Sequence, residues 1–573
     1  MKRCPAARSI VSSPGLLRRG LLLAALLAAG CDGDPGTAAP PTLPIDLTFP
    51  AGEDFASLDV RLVKVSIQGE DLKTAIAAEF PVDDTNRLLG QLPIVPFSSL
   101  FPRTVVVEGY DADGELVARG SSLPTLTSSK EEVPTLHVLL APVDRFLPTT
   151  ALTDAQAGSP TMHVPRVGHS VTLLLDGRIM VAGGLHLEPG EQGIEEGELL
   201  DSIEVFEPRT GLWYLAEARL AIPRAYHTAT LLRGKNGKVI LLGGYGRINQ
   251  ELVTLAPGEW LTPSKLPDDE NAIGALETRM IVPRARHTAT AVDDWVLIAG
   301  GERLKADGTR SLVAELELFF ASPPPLLADH GFCPSGKVWT FCNTSEMLLQ
   351  HGRILHGATR VGDQVLIFGG SDGSVPLASS EYFAYDRDGA SLPGRTSRGP
   401  SLQVARQGMA WVNLGDLTTS STGSGTVDGE ASHLYLFGGE GLSGDTLRAL
   451  DSIEWYSPVR DLTVQFQLLD ASIGRRTEAA AALVGQRGWI LVAGGRSDTD
   501  TPLATAKLLQ VGSTGLVASP VDAGRLLTAR YAHQLSPLAN GQVLVSGGAG
   551  CDEGLCSSLA DSELYNPGPE ALE

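Results

Sequence analysis

The sequence is short of cationic side chains, of sulfur, of long apolar runs and of the motifs that most enzymes announce. Lysine and arginine number 45 against 67 aspartates and glutamates, a formal net charge of −22. A surface of that sign repels phosphate backbones, so nucleic-acid binding is excluded, and the acidity stands for solubility or a cationic partner. Lysine and methionine are sparse beside 64 glycines and 37 prolines, a composition that points to strands and turns rather than helices. The longest apolar run near the start, Leu21–Ala29, falls far short of the roughly twenty residues that span a bilayer as a helix. There is no Gly-x-Ser-x-Gly elbow, no Walker loop and no His-Glu-x-x-His pattern. At 573 residues the chain is too long for one ordinary core, so several domains or a repeat array are expected.

The first thirty residues read as an address. Basic residues through Arg18 and Arg19 precede Leu21–Ala29, the order of a secretory signal. Removing 1–30 takes away five positive charges and no negative ones, which moves the net charge from −22 to −27. Leu27-Ala28-Ala29-Gly30-Cys31 resembles a bacterial lipobox, with Ala28 where leucine is commonest. The resemblance implies cleavage before Cys31, acylation of that cysteine, and a polar tether over 31–44. Acyl chains contribute about 0.8 kcal/mol per buried methylene, enough in combination for stable anchoring. Asp32 is similar to an inner-membrane retention signal, so either membrane is open. The other reading is an ordinary secretory signal with a stray cysteine.

Cysteine use agrees with export. Beyond Cys4 and Cys31 there are two local pairs, Cys333/Cys342 and Cys551/Cys556. Paired Cys-x-x-Cys knuckles are missing, so two loop disulfides in an oxidising compartment are expected rather than a zinc site. Each is worth about 2–3 kcal/mol in the chain-entropy model.

Residues 45–143 do not repeat. Asp59–Ile67 alternates apolar and polar, Thr104–Tyr110 and Glu115–Arg119 flank the turn Asp111-Ala112-Asp113-Gly114, and Thr135–Leu140 adds a further strand. A small β-sandwich acting as a spacer is expected, similar in architecture to immunoglobulin-like or transthyretin-like modules.

From about residue 144 one unit recurs. Gly-Gly pairs stand at 183/184, 243/244, 300/301, 369/370, 438/439, 494/495 and 547/548, each closing an apolar run. Arg-x-x-His precedes five of them: Arg166/His169, Arg224/His227, Arg284/His287, Arg353/His356 and Arg530/His533. The other two keep an arginine only, read as Arg406 with Met409 and Arg475 with Glu478. A third strand follows each glycine pair, as in Asp201–Phe206, Asp451–Tyr456 and Asp561–Tyr565, and a fourth carries tryptophan in some units, such as Trp213 and Trp260. The spacing runs from 53 to 69 residues, near the roughly fifty of a kelch unit plus insertions.

Over 165–567 the chain resembles the kelch β-propeller, in the bacterial form related to the central domain of galactose oxidase. The expected fold is all-β, a seven-bladed kelch β-propeller (144–573) preceded by the small sandwich. Because the last unit ends without a fourth strand, the stretch about Phe146–Val164 is expected to supply the outer strand of the seventh blade.

Galactose oxidase-like chemistry uses copper on two tyrosines and two histidines with a cysteine cross-link. No cysteine here matches, and the histidines recur at a fixed place as fold-supporting residues do, so no catalytic residue, metal or cofactor is assigned. The expected function is a lipid-anchored binding scaffold of the bacterial cell envelope, periplasmic or at the cell surface, whose partner is an envelope protein or glycan. A carbohydrate-active enzyme, galactose oxidase-like or similar to sialic-acid mutarotases, would need Arg, Glu and His clustered at one mouth of the channel; a structural envelope protein would have no ligand.

Loops after Gly-Gly and the connections between units share one face. The acidic insertion 188–198, the Cys551–Cys556 loop and 321–350 are placed there. Arg166, Arg224, Arg284, Arg353, Arg406 and Arg530 are expected near that mouth as a possible binding face, with inter-strand hydrogen bonding as their alternative. The Ser/Thr/Gly-rich 415–432 lies on the opposite face.

Overall fold

The computed structural model of the chain describes residue 42 onward, apart from 73, 91–94, 97, 99, 126–134, 150–157, 192, 233–236, 293–294, 322–338, 344–346, 386–393, 416–432, 459–464, 486–487, 513–514, 569–570 and 572–573. The signal segment, Cys31, Cys333 and nearly all of the 415–432 loop lie outside the described residues. Within them the protein is all-β, with one four-residue helix, Gly193–Glu196, and two short 3-10 turns.

The leading unit is built on Leu62–Gln68, whose side chains alternate between core and surface as its sequence does. It pairs with Ile76–Pro81 on one side and Thr104–Tyr110 on the other, and the latter turns back into Leu116–Ser121. Asp111 makes that turn by itself, its Oδ1 accepting from the amides of Asp113 and Glu115. Ile45–Thr48 and Leu136–Leu139 form a separate parallel pair. Their Ile45, Leu47, Leu136 and Val138 share one core with Val63, Val65, Val105 and Val107 of the larger sheet.

Among the described residues, seven antiparallel sheets of four or more strands then follow, with two-stranded hairpins between their second and third strands in five of them. In the first, Ser170–Leu173 pairs with Ile179–Ala182, which pairs with Ser202–Glu207, which pairs with Leu212–Arg219. The second strand of each unit is the one ending in Gly-Gly. Examples such as Ile179–Ala182, Val239–Leu242 and Trp489–Ala493 are buried along their whole length. Trp213 sits in a fourth strand as expected, whereas Trp260 belongs to the third strand of its sheet, Pro257–Leu261. The last sheet is completed from the front of the chain. Arg145–Pro148 pairs antiparallel with Ser562–Asn566, and the Phe146 ring packs 5.0 Å from that of Tyr565. This architecture fits a β-propeller.

A buried arginine holds each unit. Arg166, Arg224, Arg284, Arg353, Arg406 and Arg530 are 0 % exposed. Each puts one terminal nitrogen on the carbonyl of its own unit's first glycine (Gly183, Gly243, Gly300, Gly369, Gly438, Gly547). The other reaches a third-strand glutamate, Glu204, Glu259, Glu317, Glu381, Glu454 or Glu563, at 2.5–2.9 Å. The glutamate in turn accepts backbone amides from the incoming connection, such as His163 and Val164 on Glu204, or Leu527 and Thr528 on Glu563. Charged groups this deep are tolerated only when paired and fully hydrogen-bonded.

The sixth sheet breaks the rule and corrects the expected register. Arg475 is exposed and bridges Asp498, while Arg476 is the buried guanidinium. Lysine stands where its glutamate belongs: Lys507 turns outward to Asp522 at 2.8 Å. Arg476 makes do with the carbonyls of Ile473, Gly494 and Thr505. Burial without a neighbouring carboxylate lowers it to about 10, so it still carries its charge at neutral pH.

Two opposite substitutions follow from this geometry. Glu204→Ala strands Arg166 as a lone buried charge and is expected to cost about 3–5 kcal/mol. Lys507→Glu offers Arg476 a carboxylate, a gain of about 1.5 kcal/mol against loss of an exposed ion pair worth little. Thermal melts of the mature chain check both; a lower midpoint for Lys507→Glu would contradict the assignment.

Candidate functional site

Each position of the Arg-x-x-His segment has its own task. The residue after the arginine bridges to the residue after Gly-Gly in all seven units: Val167 to Leu185, Ala225 to Tyr245, Ala285 to Glu302, Ile354 to Ser371, Gln407 to Glu440, Thr477 to Arg496 and Tyr531 to Ala549. The next residue is left-handed every time. Gly168, Tyr226, Arg286, Leu355, Gly408, Glu478 and Ala532 have φ of 51–62°. Amides pass from one of these to the next across the sheets, Tyr226 to Gly168, Arg286 to Tyr226, Gly408 to Leu355, Glu478 to Gly408 and Ala532 to Glu478, at 2.7–3.1 Å. The links fall in two runs, Gly168–Tyr226–Arg286 and Leu355–Gly408–Glu478–Ala532, and together the seven residues ring the axis. Five are not glycine, so the ring holds backbone strain of about 1–2 kcal/mol per residue, a feature that clusters at functional sites.

Side chains on and beside this ring make a compact polar cluster at one mouth. Arg286 lies 4.0 Å over the Tyr226 ring and 3.1 Å from Glu302, which also accepts the Tyr245 hydroxyl at 2.6 Å. Opposite them Arg496 bridges Glu478 at 2.9 Å and lies 4.8 Å over Tyr531. The halves feel each other. Burial would lower the Arg286 guanidinium, but Tyr226, Glu302, Tyr245 and, across the axis, Glu478 raise it. Burial likewise opposes Arg496, and Glu478, Asp500 and Tyr531 outweigh it. Burial raises the Tyr531 hydroxyl. Cations over aromatic faces, flanked by carboxylates, form a site suited to polar ligands.

The hairpins after Gly-Gly surround this mouth. The Cys551–Cys556 disulfide is present and closes one of them. The acidic insertion and the strand leading into it meet that hairpin directly, through Gly190 donating to the Cys556 carbonyl and a hydrogen bond of 3.0 Å between His186 Nδ1 and the Ser558 hydroxyl. The insertion's glutamates are mostly exposed, but it has an apolar anchor. Ile194, on the four-residue helix, is buried with Val167, Leu185, Ala225, Tyr245 and Ala285, and packs toward Tyr226. Arg310 grips the Glu195 carboxylate, and Arg247 its carbonyl. The insertion therefore covers the part of the mouth formed by the first three sheets. Cys342 is disulfide-bonded, in the strand Thr340–Cys342.

The six arginines expected at a binding face are not there: their guanidinium groups are buried in the sheets, each engaged by its glutamate, and reach no ligand. The repeated histidines are also behind the mouth. His227, His287 and His356 each put Nε2 on a hydroxyl of the preceding sheet, Ser170, Thr228 and Thr288, at 2.9–3.0 Å. At the corresponding places before His169 and His533 stand Gln534 and Ala480, and those two rings have no such hydroxyl. A β-carbon on the first glycine of the preceding sheet would sit 2.4–2.9 Å from these histidine rings, besides needing positive φ, and this explains the glycine. Copper of the galactose oxidase kind does not fit this donor set. The mouth offers tyrosines, but the histidines face the sheets, and Cys551 and Cys556 are spent on each other.

No protein-family model matches the chain, and no curated protein matches it. Among solved structures, YjhT superposes with a TM-score of 0.41 at 11% identity, over 64% of this chain and 99% of its own. A fungal alcohol oxidase of the AA5 family in complex with copper gives 0.48 at 15% identity, over 72% and 76%. Nothing about activity passes through likenesses this distant.

The buried histidines predict an acid response. Burial, followed by a nearby arginine, lowers His169, His287, His356 and His533 to about 3 from an ordinary 6.5, and His227 moves the same way. A lowered folded-state value means stability is complete above about pH 6.5 and drains as pH falls toward 3. Each such histidine costs about 1.4 kcal/mol per pH unit in that window. Urea unfolding at pH 7 and pH 5 measures it. Replacing His287 with glutamine is expected to remove about one proton from the slope; an unchanged slope would contradict burial of the neutral ring.

Proposed function

We propose that this is an exported, lipid-anchored, seven-bladed kelch-type propeller that acts as a binding scaffold of the bacterial cell envelope, with recognition at the axial mouth. The single observation that carries the reading is the strained ring with its Tyr226, Arg286, Glu302, Glu478, Arg496 and Tyr531 cluster, framed by the disulfide hairpin and the acidic insertion. Ordered loops on a rigid scaffold are where recognition concentrates. The leading unit supports the same reading. Asn566, at the far end of a third strand, donates to the carbonyls of Arg119, Ala141 and Pro142, so that unit sits at the end away from the mouth. A tether before it then leaves the mouth facing a partner, an envelope protein or a glycan.

The Arg–Glu pairs beside tyrosines also favour a second reading, a carbohydrate-active enzyme working at the same mouth. Anomeric exchange of sugars followed by NMR, with and without protein, separates it from binding alone.

The test uses the soluble mature chain as bait on envelope extracts. A variant with 188–198 shortened and Cys551 and Cys556 changed to serine, and the double variant Arg286→Gln with Arg496→Gln, are expected to lose the partner. Deleting 417–430 is expected to keep it. Loss on that deletion, with retention by the other two, would place recognition on the opposite face.

A further inference from the structure

A second polar cavity lies at the other end of the sheets, where the leading unit meets the first and last of them. Its volume is about 180 Å³, many times the roughly 10–15 Å³ that one water needs by the same measure, so it has room for a small ligand. One wall is the edge of the leading unit and the other is two turns, one carrying Arg209 and one carrying Asn540. Sites between packed units are common places for small ligands.

The lining has two characters. Leu123, Leu139 and Pro208 give an apolar surface, while hydroxyls, amides, one imidazole and one guanidinium supply hydrogen-bonding groups. His137 is set in place by Asp46, whose carboxylate lies 3.0 Å from Nδ1, so Nε2 is the nitrogen left for another partner. Among the described residues, the Arg209 guanidinium makes no ion pair; only its backbone amide is engaged, by Glu207 at 3.0 Å. Asn540 gives one amide hydrogen to Gln542 and keeps the second. A planar guanidinium, an oriented imidazole and a side-chain amide beside aliphatic carbons suit adjacent hydroxyls on a ring with a C–H face. Two carboxylates close by, Asp46 and Glu207, set a strongly anionic ligand at a disadvantage.

We propose that this cavity binds an uncharged pyranose, either as a free sugar or as the terminal residue of a glycan. It is independent of the axial mouth and would stand if recognition there failed.

The experiment is saturation-transfer NMR and calorimetry on the soluble mature chain. Glucose, galactose and N-acetylglucosamine are tested both free and as methyl glycosides, with glucuronate as the charged arm. At least one neutral sugar is expected to bind. Arg209→Ala and His137→Ala are each expected to weaken it about tenfold or more, the loss of one good hydrogen-bonding group, with the melting temperature little changed. Binding of the methyl glycoside as well as the free sugar assigns the glycan terminus; binding of the free sugar alone assigns the monosaccharide. Arg286→Gln, at the axial mouth, is expected to leave this binding intact. The proposal is overturned if no neutral sugar binds, if glucuronate alone binds, or if binding survives both cavity variants.

Discussion

A guanidinium cannot be buried unless nearly all its hydrogens find acceptors, and this protein meets that constraint seven times over. In six of the units the arginine fixes three things at once: the end of the second strand through the first glycine, the third strand through its glutamate, and the connection through amides on that glutamate. Its own carbonyl does the fourth. Gly184, Gly244, Gly301, Gly370, Gly439 and Gly495 each donate to the arginine carbonyl of the following sheet, Arg224, Arg284, Arg353, Arg406, Arg476 and Arg530, at 2.8–2.9 Å. Gly548 then donates to Arg166 at 3.0 Å and closes the circle. Sheets that cannot bury both faces alone become one body through these contacts and the apolar clusters between them.

Position follows from that rigidity. With the arginine and histidine locked behind them, the residues between are forced toward the axis in a left-handed conformation, whatever their type. Their side chains are then free to vary: glycine in two units, tyrosine, arginine, leucine, glutamate and alanine in the others. A framework fixed by repetition thus displays a mouth that does not repeat, the arrangement from which specific recognition is made. The sixth sheet shows the limit of tolerance, since a buried arginine survives there on carbonyls and the Thr505 hydroxyl, without a carboxylate, while Lys507 looks outward.

Much of this was legible in the sequence. Gly-Gly and Arg-x-x-His gave the units, and the missing last strand pointed to about Phe146–Val164, of which only 146–148 fall in the pairing strand Arg145–Pro148. The partner of the arginine was less plain, although Glu204 and Glu454 stand at one offset in Asp-Ser-Ile-Glu, and Glu563 one residue nearer in Asp-Ser-Glu. A glutamate in a strand reads as a solvent-facing residue until the arginine opposite is known. Two adjacent arginines hid the register of the sixth unit, because Arg475 and Arg476 differ in burial and not in chemistry. Ile194 was masked by the acidic residues around it, and its burial depends on Tyr245 and Ala285 from other units. The cavity beside His137 joins residues more than four hundred positions apart, a distance over which no local pattern carries.

The central claim is that the circle of glycine amides is closed and cooperative. Hydrogen exchange of the mature chain, resolved to the amides of Gly184, Gly244, Gly301, Gly370, Gly439, Gly495 and Gly548, tests it most directly. A closed ring predicts that Gly548 exchanges as slowly as the others, through opening of the whole body. Fast exchange at Gly548 while the other six stay protected would mean that the last sheet frays from the first and that no ring exists.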